Sequence, residues 1–230
     1  MVYAKKIGTI SPLKSICLGL FISHIDQHND CAALYVIRNN MKQQTDFDVI
    51  VIGGGMAGLP LSLSLARQGK KVACIDRDDP NVQATDKFDG RTVAISAGGA
   101  EIMDNAGVWE KILKDACPIN EIKITDNGSP DLLTFLSEEV EDKSFGHIIE
   151  NCVIRSALFK AAKAQKNLDH IAPQKIESFK TSEDFVSVLL DNGKELTAKL
   201  LVGADGRFSW VREQVGIRTR GWQYNQSALI

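Results

Sequence analysis

One stretch near residue 50 limits what this chain can fold into more than any other. Val49-Ile50-Val51-Ile52 is an unbroken β-branched run. Such a run suits a strand buried on both faces of a parallel sheet, and it predicts a strand over residues 47–52. It leads directly into Gly53-Gly54-Gly55-Met56-Ala57-Gly58, a G-x-G-x-x-G pattern, and then into a Leu/Ala-rich stretch that predicts a helix through Ala66 closed by Gly69. Each glycine of such a unit has its own task. Gly53 allows the tight turn, Gly55 lets a pyrophosphate approach the backbone, and Gly58 lets the helix lie close on the strand. A phosphate placed there meets unpaired N–H groups at the positive end of the helix dipole. Pro60 falls either in the first helical turn, where a missing N–H is tolerated, or just beyond it, where it costs a hydrogen bond.

Lys71-Val72-Ala73-Cys74-Ile75-Asp76 reads as a second strand ending in an acid. Asp76 lies 23 residues after Gly53, close to the spacing at which a carboxylate reaches a ribose hydroxyl of a bound adenosine. An acid there repels a 2'-phosphate, so the unit fits FAD or NAD rather than NADP. Met56 and Ala57, between the glycines, and Arg77, after the acid, join Gly53, Gly55, Gly58 and Asp76 as candidate cofactor contacts. The fold class that follows is α/β with a Rossmann-like domain.

Composition narrows the function classes. The 230 residues are 44% hydrophobic and 24% charged, which describes an ordinary globular chain. A net charge of −2 leaves no electrostatic footprint for nucleic acid. The five cysteines (Cys17, Cys31, Cys74, Cys117, Cys152) form no C-x-x-C pair, and their odd number fits free thiols in a reducing, cytoplasmic setting. No apolar run approaches the roughly 20 residues of a membrane helix. Residues 1–40 lack clear periodicity; Ile16–Ile22 behind Lys5, Lys6 and Lys14 only loosely imitates a signal peptide, and the functional chain is expected to begin at Met41.

Between the first unit and the last third the pattern changes to short strands. Residues 121–125 and 132–136 around Asn127-Gly128 predict a hairpin, and residues 175–180, 185–190 and 195–202, the last two joined through Asp191-Asn192-Gly193, predict a meander. The acidic run Glu138, Glu139, Glu141 and Asp142 reads as a solvated loop. His147 and His170 have no partner at metal-ligand spacing and receive no catalytic role; no metal site and no G-x-S-x-G elbow is expected. Leu200-Leu201-Val202-Gly203-Ala204-Asp205-Gly206 ends an apolar strand in a carboxylate and a glycine. In an α/β sheet that places Asp205 and Gly206 at the carboxyl edge, where ligands bind, although Asp-Gly alone is also a common turn dipeptide.

The choice between FAD and NAD comes from resemblance. Asp89-Gly90-Arg91-Thr92-Val93-Ala94-Ile95-Ser96, Glu150-Asn151 with Arg155 and Leu158, the Asp205-Gly206 segment with Arg207, Ser209 and Arg212, and Gly221-Trp222-Gln223-Tyr224-Asn225-Gln226 together resemble the ubiquinone-biosynthesis hydroxylases. These are p-hydroxybenzoate-hydroxylase-like flavoprotein monooxygenases, here of the 2-polyprenyl-6-methoxyphenol hydroxylase type. The resemblance runs from about Phe47 to the last residue. It implies that Arg91 steadies the FAD pyrophosphate, that Arg155 lies along the flavin side, and that Asp205 holds a ribityl or ribose hydroxyl. A guanidinium suits the first role because it offers two parallel N–H donors.

It also implies FAD as cofactor, NAD(P)H as electron donor, a small polyprenylated phenol as substrate, and at most peripheral association with the inner face of a membrane. The domains expected are an extension (1–40), an FAD-binding domain with a β-meander (41–121 and 146–220), and part of a mixed-sheet substrate domain (122–145 and 221–230). Family members continue through more substrate sheet and a later Gly-Asp segment, so the chain is expected to be an N-terminal half, poorly active alone, with a second polypeptide as possible partner. Two alternatives stay open: a non-catalytic FAD-binding remnant of a split or frameshifted gene, and another FAD-dependent oxidoreductase such as an amine oxidase or a reductase.

Overall fold

The computed structural model describes residues 44–83, 90–125, 133–139, 144–222 and 224. The readings on residues 1–40, Met41, Asp89, Asn127-Gly128, Leu132, Glu141, Asp142, Gln223 and residues 225–230 lie outside the described residues. In chain order the elements are β1 (Phe47–Ile52), α1 (Gly58–Arg67), β2 (Val72–Ile75), α2 (Pro80–Gln83), β3 (Thr92–Ser96), α3 (Ala97–Asn105), α4 (Trp109–Leu113), β4 (Cys117–Pro118), β5 (Glu121–Ile124), β6 (Leu133–Leu136), β7 (Gly146–Glu150), α5 (Asn151–Ala164), β8 (Leu168–Ile171), β9 (Ile176–Thr181), β10 (Val186–Leu190), β11 (Glu195–Gly203) and α6 (Trp210–Gln214). Two compact units result, one of residues 80–165 and one of residues 44–79 with 166–224.

The second of these units is an α/β layer built on a six-stranded sheet of order β8-β2-β1-β11-β10-β9. β1 lies between β2 and β11, parallel to both, and β2 runs parallel to β8. A strand in that position is covered on both faces, which is why Val49–Ile52 carries no polar residue; Ile50 and Val51 are fully buried. Each such side chain contributes about 1.5–3 kcal/mol by leaving water. The remaining strands β9, β10 and β11 form the antiparallel meander, closed by Gly193 at φ +82°. The apolar core of this sheet includes Ile50, Ile75, Val188, Leu190 and Leu201. Across β1 and β11 the Lys199 ammonium donates to Asp48 Oδ1 at 2.6 Å, which pins the register of the central pair.

Helix α1 packs Leu59 and Leu63 against the sheet, each about 1% exposed. Pro60 sits in its first turn, so the missing N–H removes no helical bond. Ser62 and Ser64 Oγ donate back to the carbonyls of Gly58 and Pro60 at 2.7 and 2.8 Å, which satisfies both buried hydroxyls. The helix stops at Gln68, where Gly69 takes φ +83°, a left-handed conformation that glycine adopts without steric cost.

The other unit holds a three-stranded antiparallel sheet of order β3-β7-β4 and the β5–β6 hairpin. Ser96 caps α3, its Oγ accepting from Gly99 N at 3.2 Å. Ile149, Ile154 and Leu158 are its best-buried residues on β7 and α5. In the hairpin, Ile122 faces Phe135 and Ile124 faces Leu133, so all four share one face, and all four are exposed. No helix among the described residues is long and apolar enough to cross a membrane.

Candidate functional site

Four parallel strands, β8, β2, β1 and β11, point their carboxyl ends at one edge of the sheet. The loops that leave them are stitched together by backbone hydrogen bonds. Gly53 N donates to Ile75 O at 2.8 Å, Ala204 N to Ile52 O at 2.7 Å, Asp76 N to Ile171 O at 3.1 Å and Gln174 N to Asp76 O at 2.7 Å. The result is a cleft of about 550 Å³ lined by Gly53, Gly55, Asp76, Arg77, Asp205 and Gly206 among others. A crevice at the carboxyl ends of an open α/β sheet is where ligands bind in this architecture.

Gly53 and Gly58 stand where close packing leaves no room for a side chain. Gly53 takes φ +100°, and a Cβ there would fall on the Ala204 carbonyl. A Cβ on Gly58 would fall on Gly53 O, so any larger residue would push α1 off β1. Gly55 differs: a Cβ there would meet nothing within 4 Å. Its backbone therefore borders open space in the cleft, the cradle that a pyrophosphate needs. Met56 and Ala57 make the turn into α1, and Ala57 is its N-cap with no side-chain hydrogen bond and no acid in the first turn. The positive end of the helix dipole thus stays uncompensated toward the turn.

Asp76 is fixed by its own surroundings. Gly54 N donates to Oδ2, and Asp78 N donates to Oδ1 at 2.8 Å. A carboxylate offers about four acceptor positions, so these two bonds do not exhaust it. Arg77, beside it, is exposed and 3.8 Å from Asp78. Asp205 is engaged within its own loop and the following helix. Its Oδ1 accepts from Ser209 Oγ and its Oδ2 from Val211 N at 3.1 Å, while Ser209 Oγ caps α6 by accepting from Arg212 N at 3.0 Å. The carboxylate thus anchors the start of α6. Gly206, at φ +85° with nothing near a built Cβ, leaves its backbone open to the cleft.

Arg91 and Arg155 belong to the unit of residues 80–165, where they are brought close in the fold. Asn151 N donates to Arg91 O at 3.1 Å because β3 pairs with β7, and Arg155 follows one turn later on α5. Asn151 Oδ1 is buried with no hydrogen-bond partner among the described residues.

Several residues at the cleft were not singled out from the sequence: Gln174 and Lys175 between β8 and β9, Ile176 at the start of β9, and Phe208 and Trp210 after the Asp-Gly turn. Their one available signal was position, each following a strand that ends at the same edge. His170 also lies near, against Gly54. Burial holds its imidazole below the ordinary histidine range, against the opposing charge of Asp76. No cluster of three or more metal-ligating side chains occurs among the described residues.

A family model described as an FAD binding domain matches residues 46–229, which takes in both the glycine turn and the Asp205-Gly206 loop. The chain belongs to the FAD binding domain family. Among its relatives, the ubiquinone hydroxylase UbiL of Rhodospirillum rubrum is 34% identical over 183 residues, covering 80% of this chain and 42% of that protein. The 3-demethoxyubiquinol 3-hydroxylase of Escherichia coli is 30% identical over 185 residues, covering 80% of this chain and 47% of that protein. The chain therefore spans less than half the length of these relatives. Among solved structures, the p-nitrophenol 4-monooxygenase PnpA of Pseudomonas putida superposes with a TM-score of 0.66 at 20% identity, over 79% of this chain and 46% of that one. That likeness shows that the two chains share a fold.

Proposed function

We propose that this chain is the FAD-holding portion of a monooxygenase that hydroxylates a small phenol, in the manner of the ubiquinone hydroxylases it resembles, with NAD(P)H as electron donor. The observation that carries the reading is the convergence of four parallel strand ends on one cleft. There Gly53 and Gly58 permit close packing, Gly55 borders open space, and Asp76 is held ready at the rim.

In this reading the adenosine half of FAD lies in the cleft, its ribose hydroxyls donate to Asp76, and its pyrophosphate meets the backbone from Gly55 through Gly58, with Arg77 at the rim. Asp205 sets the Gly206 turn and α6, and the open Gly206 backbone faces the cofactor. The resemblance gives Arg91 to the FAD pyrophosphate and Arg155 to its flavin side. When bound, the flavin supplies the redox and oxygen chemistry; these residues bind, orient and shield it.

The domain reading follows the same lines: 41–121 and 146–220 hold the cofactor, and 122–145 with 221–230 belong to a substrate-binding sheet. The exposed apolar face of β5 and β6 fits a hairpin that further strands cover. The relatives' names support a phenolic substrate of the ubiquinone pathway. The test is to load the purified protein with FAD and follow NADH and NADPH oxidation with polyprenylated phenols and with amines. Phenol-stimulated oxidation yielding a product with one added oxygen supports the proposal. Turnover of amines without oxygen insertion favours another oxidoreductase class, and failure of folded protein to take up FAD refutes it.

A further inference from the structure

The Gly54 backbone is enclosed by two titratable side chains from different strands. A Cβ built on Gly54 would meet Asp76 Oδ2 at 3.0 Å and His170 Nε2 at 3.1 Å. The carboxylate and the imidazole therefore lie no farther apart than those two distances together allow, a range over which an opposite charge acts strongly. The juxtaposition follows from topology: β8 pairs with β2, His170 stands opposite Cys74, and the next pair in register is Ile75 with Ile171, directly before Asp76. We propose that His170 is a positioning residue for the ribose-binding carboxylate, holding Asp76 on Gly54 N when neutral and drawing it away when protonated. This rests on the reading that Asp76 receives the FAD ribose.

The chemistry runs in one direction. Neutral imidazole leaves the full charge of Asp76 available to Gly54 N–H, Asp78 N–H and ribose hydroxyls. An imidazolium adds an N–H donor and a positive charge beside Oδ2, competing with the ribose for the same oxygen. Among the described residues, the titratable groups beside His170 include Cys74 on β2, whose thiol is pushed up to about 12 by burial and so stays neutral, and Asp76, which follows that strand. α1 carries no charged residue before Arg67 in its last turn. Asp169, next to His170 on β8, points to the opposite face by strand alternation. Burial favours the neutral imidazole at neutral pH, and Asp76 opposes that shift, so protonation occurs on the acid side of the ordinary histidine range.

The experiment is an FAD titration of the purified chain by flavin fluorescence at pH 7.5 and 5.5, for the wild type, His170→Gln and His170→Leu, with circular dichroism to confirm folding at each pH. The wild type is expected to bind FAD roughly three- to tenfold more weakly at pH 5.5. His170→Gln, which keeps a polar atom near Gly54 but cannot charge, should lose most of the pH dependence of FAD binding. Should His170→Leu not fold, His170→Gln alone decides. An identical pH dependence in wild type and His170→Gln overturns the proposal while leaving the FAD reading intact. No FAD binding by folded wild type at pH 7.5 overturns the FAD reading, and this inference with it.

Discussion

At the scale of single residues, the glycines carry the account. Gly58→Ala forces a methyl group onto Gly53 O and Gly53→Ala adds a strained φ, so each is expected to cost at least about 2–3 kcal/mol, read as a lower urea midpoint, and to abolish FAD uptake. Asp76→Asn is milder. It keeps an oxygen near Gly54 N but loses the charge, and FAD affinity should fall roughly tenfold or more in an equilibrium titration. These positions were legible in the sequence because a G-x-G-x-x-G turn and an acid at fixed spacing are local features. Two others were not. Asp205 also anchors α6, its oxygens accepting from the N-cap Ser209 and from Val211 N, a use visible only once that helix is placed. His170 carried no signal at all, since its meaning depends on β8 lying beside β2, a pairing between distant segments.

Elements follow the same division between local and distant information. β1 spans residues 47–52 as the β-branched run predicts, and the predicted meander and hairpin agree with β9–β11 and β5–β6 to within a residue or two at each end. Alternation and turn residues encode these directly. Sheet order is encoded by no single segment, so the neighbours of β1 had to come from the structure. Two predictions belong here. Ser209→Ala removes the cap of α6 and a partner of Asp205, and should cost about 1 kcal/mol with an unchanged urea m-value.

The second concerns the β1–β11 register. Burial alone would raise the Asp48 carboxyl, but hydrogen bonds from Lys199 and Lys71 N and the Lys199 charge outweigh it and hold it below the ordinary aspartate range. A depressed folded value means the contribution is present above the unfolded pKa, about 3.9, and is lost as pH falls through the lower folded value. Asp48→Asn should therefore lower the melting temperature at pH 7 and make little difference near pH 2, narrowing the acid-induced loss seen in wild type.

For the whole molecule, the cleft at the strand ends is the proposed FAD site. If FAD binds only the folded state, a hundredfold excess over its dissociation constant adds about 2.7 kcal/mol, which thermal melting should register as a shift of several degrees. The placement of the nucleotide is tested most directly by a crystal structure of the chain with FAD. The account predicts the adenosine ribose within hydrogen-bond distance of the Asp76 carboxylate and the pyrophosphate over Gly55. A nucleotide bound elsewhere, with the cleft at the strand ends empty, would contradict it.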